Sequence, residues 1–107
     1  MSKPVSVTII QRAREIISEP ENWCRGSFAR GRGGVSVSVR DSSARRFCAM
    51  GALILAATEI TGDNTRANEL AYSIAKTISK TGSLVFINDR QGHAAVLALF
   101  DEALATA

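Results

Sequence analysis

The sequence predicts a mainly α domain: an irregular four-helix fold around one central buried helix, with at most one short two-stranded β element. Two observations carry this prediction. Residues 47–57 are apolar without interruption, and a helix that is apolar on all sides is a buried one. Elsewhere apolar residues recur every three or four positions, the period of an amphipathic helix. The chain has 107 residues, the usual size of one domain, so we predict a single domain over 1–107.

Three amphipathic helices are predicted around the central one. The first covers Val5–Ser18, with its isoleucines on one face, and stops before a proline that disfavours further helical geometry. The third covers Arg66–Lys80, where apolar residues at spacings of three and four form the clearest pattern in the chain. The last covers Gly92–Ala105 and has a wide apolar face.

The central helix is predicted over Ala44–Ile60. Aspartate and serine at positions 41–43 offer its N-cap, and Gly62 is a natural stop. Glycine inside a helix costs up to ~1 kcal/mol relative to alanine, so Gly51 requires a reason. We expect another helix or a stretch of backbone to approach closely there.

A glycine- and arginine-rich segment, residues 26–40, is predicted to be a loop or a weak strand. Within it, Val35–Val39 alternates strictly between valine and serine, the period of a half-buried strand. The partner strand we expect is Leu84–Ile87, and the pair would need to pack on helices to be stable. An extended loop is the alternative for both segments.

Four short motifs follow one another along the chain in a recognisable order. They are Trp-Cys-x-Gly at 23–26, Phe-Cys-Ala-x-Gly-Ala-Leu at 47–53, Phe-Ile-Asn-Asp at 86–89 and Ala-Val-Leu-Ala-Leu-Phe-Asp-x-Ala at 95–103. In these motifs the chain resembles a family of small uncharacterised bacterial and phage-associated proteins, a domain of unknown function. The resemblance covers nearly the whole chain from the first helix onward. It implies a compact, mostly helical, intracellular domain without established activity or catalytic residues.

A thiol nucleophile is one candidate chemistry. Cys48 is predicted in the early turns of the central helix, just after Arg45 and Arg46, and a helix N-terminus and nearby cations both lower the pKa of a thiol. His93 is the candidate base. However, a cysteine in a buried helix is usually inert packing, and no oxyanion hole is recognisable. The sequence does not decide whether the protein is an enzyme but favours a non-enzymatic role, and a hydrolase using Cys48 and His93 ranks last among the functions considered.

An uneven charge distribution suggests an anion site. The net charge is +3, yet residues 25–46 hold six arginines against one acid. Guanidinium groups and glycine-rich backbone bind phosphate, and arginine–glycine segments bind nucleic-acid backbones without reading sequence. No phosphate-binding glycine motif is present, and a solvated loop is the simpler interpretation. The candidate anion-binding residues are Arg25, Arg30, Arg32, Arg45 and Arg46, with Arg40 in the same segment.

Binding or regulation through protein contacts is the function we expect first, with a homodimer as one form. The predicted helices carry long apolar faces for so small a domain, and part of that surface would be available to a partner. Trp23 either anchors an interface or fills the core. Asn88 and Asp89 are most simply a turn and helix cap; alternatively they line a pocket with Trp23.

No secretory signal is visible, and the longest apolar run falls short of the ~20 residues that cross a bilayer. We therefore expect a cytoplasmic protein without membrane contact. Cys24 and Cys48 are then reduced thiols. Because the chain has one histidine and no Cys-x-x-Cys pair, we predict neither a metal site nor a cofactor.

Overall fold

A computed structural model describes residues 3–80 and 82–107 of the chain. This part contains five α-helices: α1 Val5–Ile16, α2 Ala49–Thr61, α3 Asn64–Ser79, α4 Leu84–Gln91 and α5 His93–Ala105. Two short strands, β1 Ala29–Arg30 and β2 Arg46–Phe47, and two turns of 3₁₀ helix, at Pro20–Asn22 and Arg32–Gly34, lie between α1 and α2. The predicted mainly α fold with one small two-stranded element is confirmed.

The central helix is buried as predicted. α2 packs mainly against α3 and α1, and α4 also contacts it. Of the residues in 47–57, all but Leu55 are buried. The side chains of Met50 and Leu53 are among the largest fully enclosed ones, together with Phe100 of α5. An uninterrupted apolar run is stable here because every side of the helix faces protein.

The predicted start of the central helix was wrong, since α2 begins at Ala49 and not at Ala44. Arg46 and Phe47 are still extended, because β2 pairs antiparallel with β1. The polar residues at 41–43 form a turn of their own: the carboxylate of Asp41 accepts hydrogen bonds from the backbone and hydroxyl of Ser43, at 2.8 and 2.6 Å. A residue type suited to capping a helix is equally suited to closing a turn.

Neither predicted strand forms, although the loop given as the alternative holds for Val35–Val39. In the Val35–Val39 segment only one residue, Ser36, makes a β-bridge, and its partner is Arg30. Leu84–Ile87 is the first half of α4, which Ser83 begins by accepting a hydrogen bond from the backbone N–H of Phe86 at 3.3 Å. Periodicity does not separate a short buried strand from a short helix, and the N-capping serine was the signal that would have decided it.

The close approach predicted at Gly51 is confirmed. Gly51 lies in the first turn of α2, and a Cβ atom placed on it would come within 2.0 Å of the carbonyl oxygen of Phe28. That carbonyl accepts a hydrogen bond from the backbone N–H of Cys48 at 3.1 Å. Because Gly51 has no side chain, β1 and the preceding residue Phe28 can pack directly against the first turn of α2.

Ion pairs join the outer ends of the helices. Arg14 of α1 pairs with Asp101 of α5 at 2.7 Å, and Lys80 pairs with Glu102 at 2.6 Å. Both pairs lie at the surface, with only Arg14 partly buried, so each contributes at most ~1 kcal/mol. Among the helices that the structure describes, none has both the length and the apolar character needed to cross a bilayer.

Candidate functional site

Cys48 is a buried N-cap and not an exposed nucleophile. It is 1% exposed, and its sulfur accepts a hydrogen bond from the backbone N–H of Gly51 at 3.3 Å. Burial raises the pKa of the Cys48 thiol to about 11, which outweighs the lowering by the backbone N–H groups of Gly51 and Met50. The lowering of the pKa that would favour a nucleophile is therefore outweighed, and the burial of Cys48 agrees with the packing role that the sequence favours.

His93 contacts Ile17 and Trp23. It begins α5, its Nε2 atom hydrogen-bonds with the carbonyl oxygen of Ile17, and its ring centroid lies 5.4 Å from that of Trp23. In the described part of the chain, no hydrogen bond joins His93 to Cys48. A nucleophile needs a base within hydrogen-bonding reach, so this geometry does not favour a cysteine-dependent hydrolase.

We expect Cys48 to react very slowly with iodoacetamide in the native protein at neutral pH. With a pKa of about 11, roughly one thiol in ten thousand is ionised at pH 7, so labelling should accelerate with each unit of added pH. Mass spectrometry of the peptide containing Cys48 measures the rate, and labelling in denaturant is the control. Rapid labelling of the folded protein at pH 7 would restore the nucleophile hypothesis.

Trp23, Asn88 and Asp89 meet, but in a closed junction. Asn88 is a fully buried residue of α4, so the turn and cap predicted for Asn88 and Asp89 were wrong. The amide oxygen of Asn88 accepts from Trp23 Nε1 at 2.7 Å and from the backbone N–H of Ala49 at 2.9 Å. Its amide nitrogen donates to the carbonyl of Cys24 at 3.1 Å and to the carboxylate of Asp89 at 3.0 Å.

The Asn88 amide takes the place of a missing rung in a parallel β ladder. Trp23 forms a parallel bridge with Phe47, and the backbone N–H of Cys24 donates to the carbonyl of Phe47 at 3.1 Å. The next rung would join the N–H of Ala49 to the carbonyl of Cys24, and Asn88 bonds to both groups instead. The chain can thus turn from β2 into α2 without leaving these buried backbone groups unpaired.

Arg25 and Arg30 are used largely within the protein. Arg30 is half-buried and donates to the carbonyl oxygens of Gly34 at 2.9 Å and of Arg25 at 3.1 Å, which holds the glycine-rich loop in place. The Arg25 guanidinium lies 5.1 Å from the centre of the Trp23 ring and donates to the carbonyl of Asp89 at 3.3 Å. Both side chains therefore have structural roles.

Arg32, Arg45 and Arg46 are exposed. Arg46 lies directly opposite Arg30 in the β1–β2 pair, so this part of the predicted anion segment forms a basic outer surface. None of the three lines a cavity described below. The six arginines therefore fall into three groups: two bond mainly within the protein, three lie on the outer surface, and Arg40 lines a cavity.

Arg40 is the arginine that lines a cavity. Its guanidinium donates to the hydroxyl of Thr58, at 3.1 and 2.9 Å, to the amide oxygen of Asn68 at 2.9 Å and to the carbonyl of Asn64 at 3.3 Å. Within residues 3–80 and 82–107, no carboxylate pairs with Arg40, and its Nη1 atom has no hydrogen-bond partner. A half-buried cation thus has neutral partners only.

The Arg40 cavity is an open groove with a volume of about 440 Å³, and it lies between the loop 27–40 and helices α2 and α3, with Ser36, Ser38 and Tyr72 exposed along it. Apolar side chains, including Phe28 and Ile54, form part of its wall. Among the described residues that line it there is no acid. The polar lining residues are Ser27, Ser36, Ser38, Arg40, Asn68 and Tyr72.

The hydrogen-bond pattern leaves this cavity rich in donors. The Ser27 hydroxyl donates to a backbone carbonyl at 2.8 Å, so the proton between Ser27 and Ser36, 2.6 Å apart, comes from Ser36. Asn68 uses its amide oxygen to accept from Arg40, which leaves its amide nitrogen as a donor. Among the described residues, four donors of the lining side chains make no hydrogen bond within the protein: Arg40 Nη1, Asn68 Nδ2 and the hydroxyls of Ser38 and Tyr72.

Sequence reasoning missed most of this site. It placed Arg40 among the arginines of 25–46 without distinguishing it, and it considered Ser36 and Ser38 only as part of the valine–serine alternation of a possible strand. Asn68 and Tyr72 lie on α3, which was considered only for its apolar face. Among the described residues, no three His, Cys, Asp or Glu side chains lie close enough to hold one metal ion.

Comparison with known proteins identifies a family but no activity. Residues 1–106 match the model of a family described as "Family of unknown function (DUF6197)". The predicted resemblance to a domain of unknown function is thereby confirmed. No curated protein and no solved structure matches the chain.

Proposed function

This chain belongs to the DUF6197 family, whose function is unknown, and from that premise we propose that it is a binding module for a small organic anion. The ligand is held in the Arg40 cavity, with its carboxylate or phosphate against the guanidinium. The observation that carries the proposal is a half-buried cation that has no carboxylate partner among residues 3–80 and 82–107 and lines a cavity together with other donor-bearing side chains. The proposal narrows the anion binding that the sequence suggested for residues 25–46 to one arginine, Arg40.

The physical case is one of charge and size. Hydrogen bonds from Nε and Nη2 to neutral groups compensate part of the cost of removing the Arg40 cation from water, but among the described residues no opposite charge neutralises it and Nη1 is left for a ligand. Hydrogen bonds between a guanidinium and a carboxylate or phosphate are roughly twice as strong as neutral ones. A volume of about 440 Å³ lies within the range typical of small-molecule sites.

We expect Arg40→Gln to weaken the binding of acetate, butanoate and inorganic phosphate at least tenfold, because it removes the charge that a bound anion meets. Titrations followed by amide NMR shifts measure the affinity and also locate the site. Arg45→Gln is the matched control, since it removes an equal charge from an exposed position of the same segment. That control should change the affinity less than twofold.

Two results would overturn this proposal. One is binding by Arg40→Gln that equals the unmodified protein. The other is an equal loss in Arg45→Gln, which would point to the basic outer surface and to nucleic acid as its partner. Because Arg40 also holds Thr58 and Asn68, thermal unfolding must show that Arg40→Gln is folded. Arg40→Lys keeps the charge and should retain part of the affinity.

Protein contact through α4 is the second candidate. Phe86 of α4 is 57% exposed, and the guanidinium of Arg90 lies 5.7 Å from its ring centre. Buried residues of α2, α3 and α5 belong to the core, so Phe86 is the more suitable anchor for a partner or for a second copy. Sedimentation velocity over a concentration series tests the homodimer.

We also propose a cytoplasmic location. Cys24 and Cys48 are free thiols, the state that a reducing compartment maintains.

A further inference from the structure

A second cavity adjoins the Arg40 cavity. It has a volume of about 400 Å³, and Tyr72 lines both. On α2, Met50 lines the second cavity and Ile54, one turn later, lines the first. The two cavities therefore follow one another along the α2–α3 interface, on either side of Tyr72.

The second cavity differs in chemistry from the first. Met50, Ala75, Leu84 and Val85 give it an apolar wall. The charged residue among its described lining residues is Lys76, so neither cavity presents an acid to a ligand there. A ligand that filled both would bury an apolar portion beside Met50 and meet only positive charge.

We propose that the natural ligand is an amphiphilic carboxylate: its carboxylate lies at Arg40, and its alkyl tail passes Tyr72 into the second cavity. This inference rests on the anion binding proposed above. From Asn68 to Lys76 the helix α3 rises roughly 12 Å, which is the reach of a medium-length alkyl chain. Tyr72, 53% exposed, lies between head and tail and can pack on the chain.

The test is a series of straight-chain carboxylates from butanoate to decanoate, titrated below their micelle concentrations. Each added CH₂ group should tighten binding roughly three- to fourfold while the tail enters the second cavity. The gain should cease once the tail reaches the far wall at Leu84 and Val85. NMR shifts should spread from Asn68 toward the start of α4 as the chain lengthens.

Ser73→Phe tests the place of the tail. Ser73 is an exposed residue of α3 that lines the second cavity, so a phenyl group there should occlude it and reduce the gain per CH₂ group. Thr77→Phe is the matched control: Thr77 is also a small exposed residue of α3, one turn later, and lines neither of these two cavities. That variant should keep the full dependence on chain length.

The outcomes separate this inference from the proposed function. If butanoate binds through Arg40 but longer chains bind no more tightly, the ligand has no alkyl tail in the second cavity. The inference of an amphiphilic ligand is then overturned, whereas the proposed anion binding stands. If the gain per CH₂ group persists in Ser73→Phe, the tail lies elsewhere and the inference is again overturned. If no carboxylate of any length binds, or octanol binds as tightly as octanoate, the proposed anion site fails as well.

Discussion

Replacing Gly51 by alanine should destabilise the protein by about 3 kcal/mol or more, because the new Cβ would lie 2.0 Å from the carbonyl oxygen of Phe28. The contact is with backbone, so no side-chain rotation relieves it. The segment at Phe28 would have to withdraw, which strains the 3.1 Å hydrogen bond from Cys48 and the β1–β2 pairing. In an uncrowded helix the same change stabilises by up to ~1 kcal/mol, so the sign of the effect is diagnostic.

Thermal unfolding measures this effect, and the melting temperature should fall by roughly 10 to 20 °C. Gly82→Ala is the control, because a Cβ on Gly82 would meet no atom within 4 Å. That change should cause no loss of stability. A Gly51→Ala protein as stable as the parent would mean that β1 is not seated on the first turn of α2.

Asn88→Leu should cost about 4 kcal/mol, since it keeps the branched shape and the number of side-chain heavy atoms but removes the hydrogen bonds and adds some volume at a buried position. Trp23 Nε1, the backbone N–H of Ala49 and the carbonyl of Cys24 would all lose their partner. Each buried polar group left unpaired costs ~1–3 kcal/mol. Because Asn88 joins α4 to the start of α2, we also expect faster hydrogen exchange at the Trp23 indole and at Ala49.

Denaturant unfolding compares this variant with Gln91→Leu, which replaces an exposed side-chain amide at the end of the same helix. The control should stay within ~0.5 kcal/mol of the parent. A loss below 1 kcal/mol in Asn88→Leu, with the Trp23 indole still protected from exchange, would show that the junction does not depend on this amide.

Four of the five described helices could be predicted because each one repeats its signal over many residues, whereas α4 has only 8 residues and its first half was predicted as a strand. α1 and α3 match the predicted segments within two residues at each end, and α5 begins one residue after its predicted start. The close approach at Gly51 was predicted from the helical cost of glycine alone, since an unfavourable residue in a helix implies a neighbour that leaves no room for a side chain. The start of α2 was missed because Asp41 and Ser43 close a turn instead of capping a helix.

The Arg40 cavity could not be assembled from the sequence in the same way. Its members come from the loop 27–40, from α2 and from α3, and no spacing rule joins Ser36 to Asn68 or Tyr72. Charge density ranked all six arginines alike. What separates Arg40 is its surroundings, namely neutral partners on two helices and no carboxylate in the described part of the chain.

The amino-acid sequence alone determined that this protein is mainly helical, that residues 47–57 are enclosed and that another segment approaches Gly51 closely. These features follow from the local composition of the chain and from the spacing of its apolar residues. Only the tertiary structure decided which polar side chains support the fold and which face a cavity. Asn88 and Arg40 are both polar residues in the chain, yet the Asn88 amide is saturated by two backbone groups and two side chains, whereas Arg40 keeps Nη1 without a partner among the described residues. That difference depends on which groups from distant segments lie within hydrogen-bonding distance, and distance in space is set by packing.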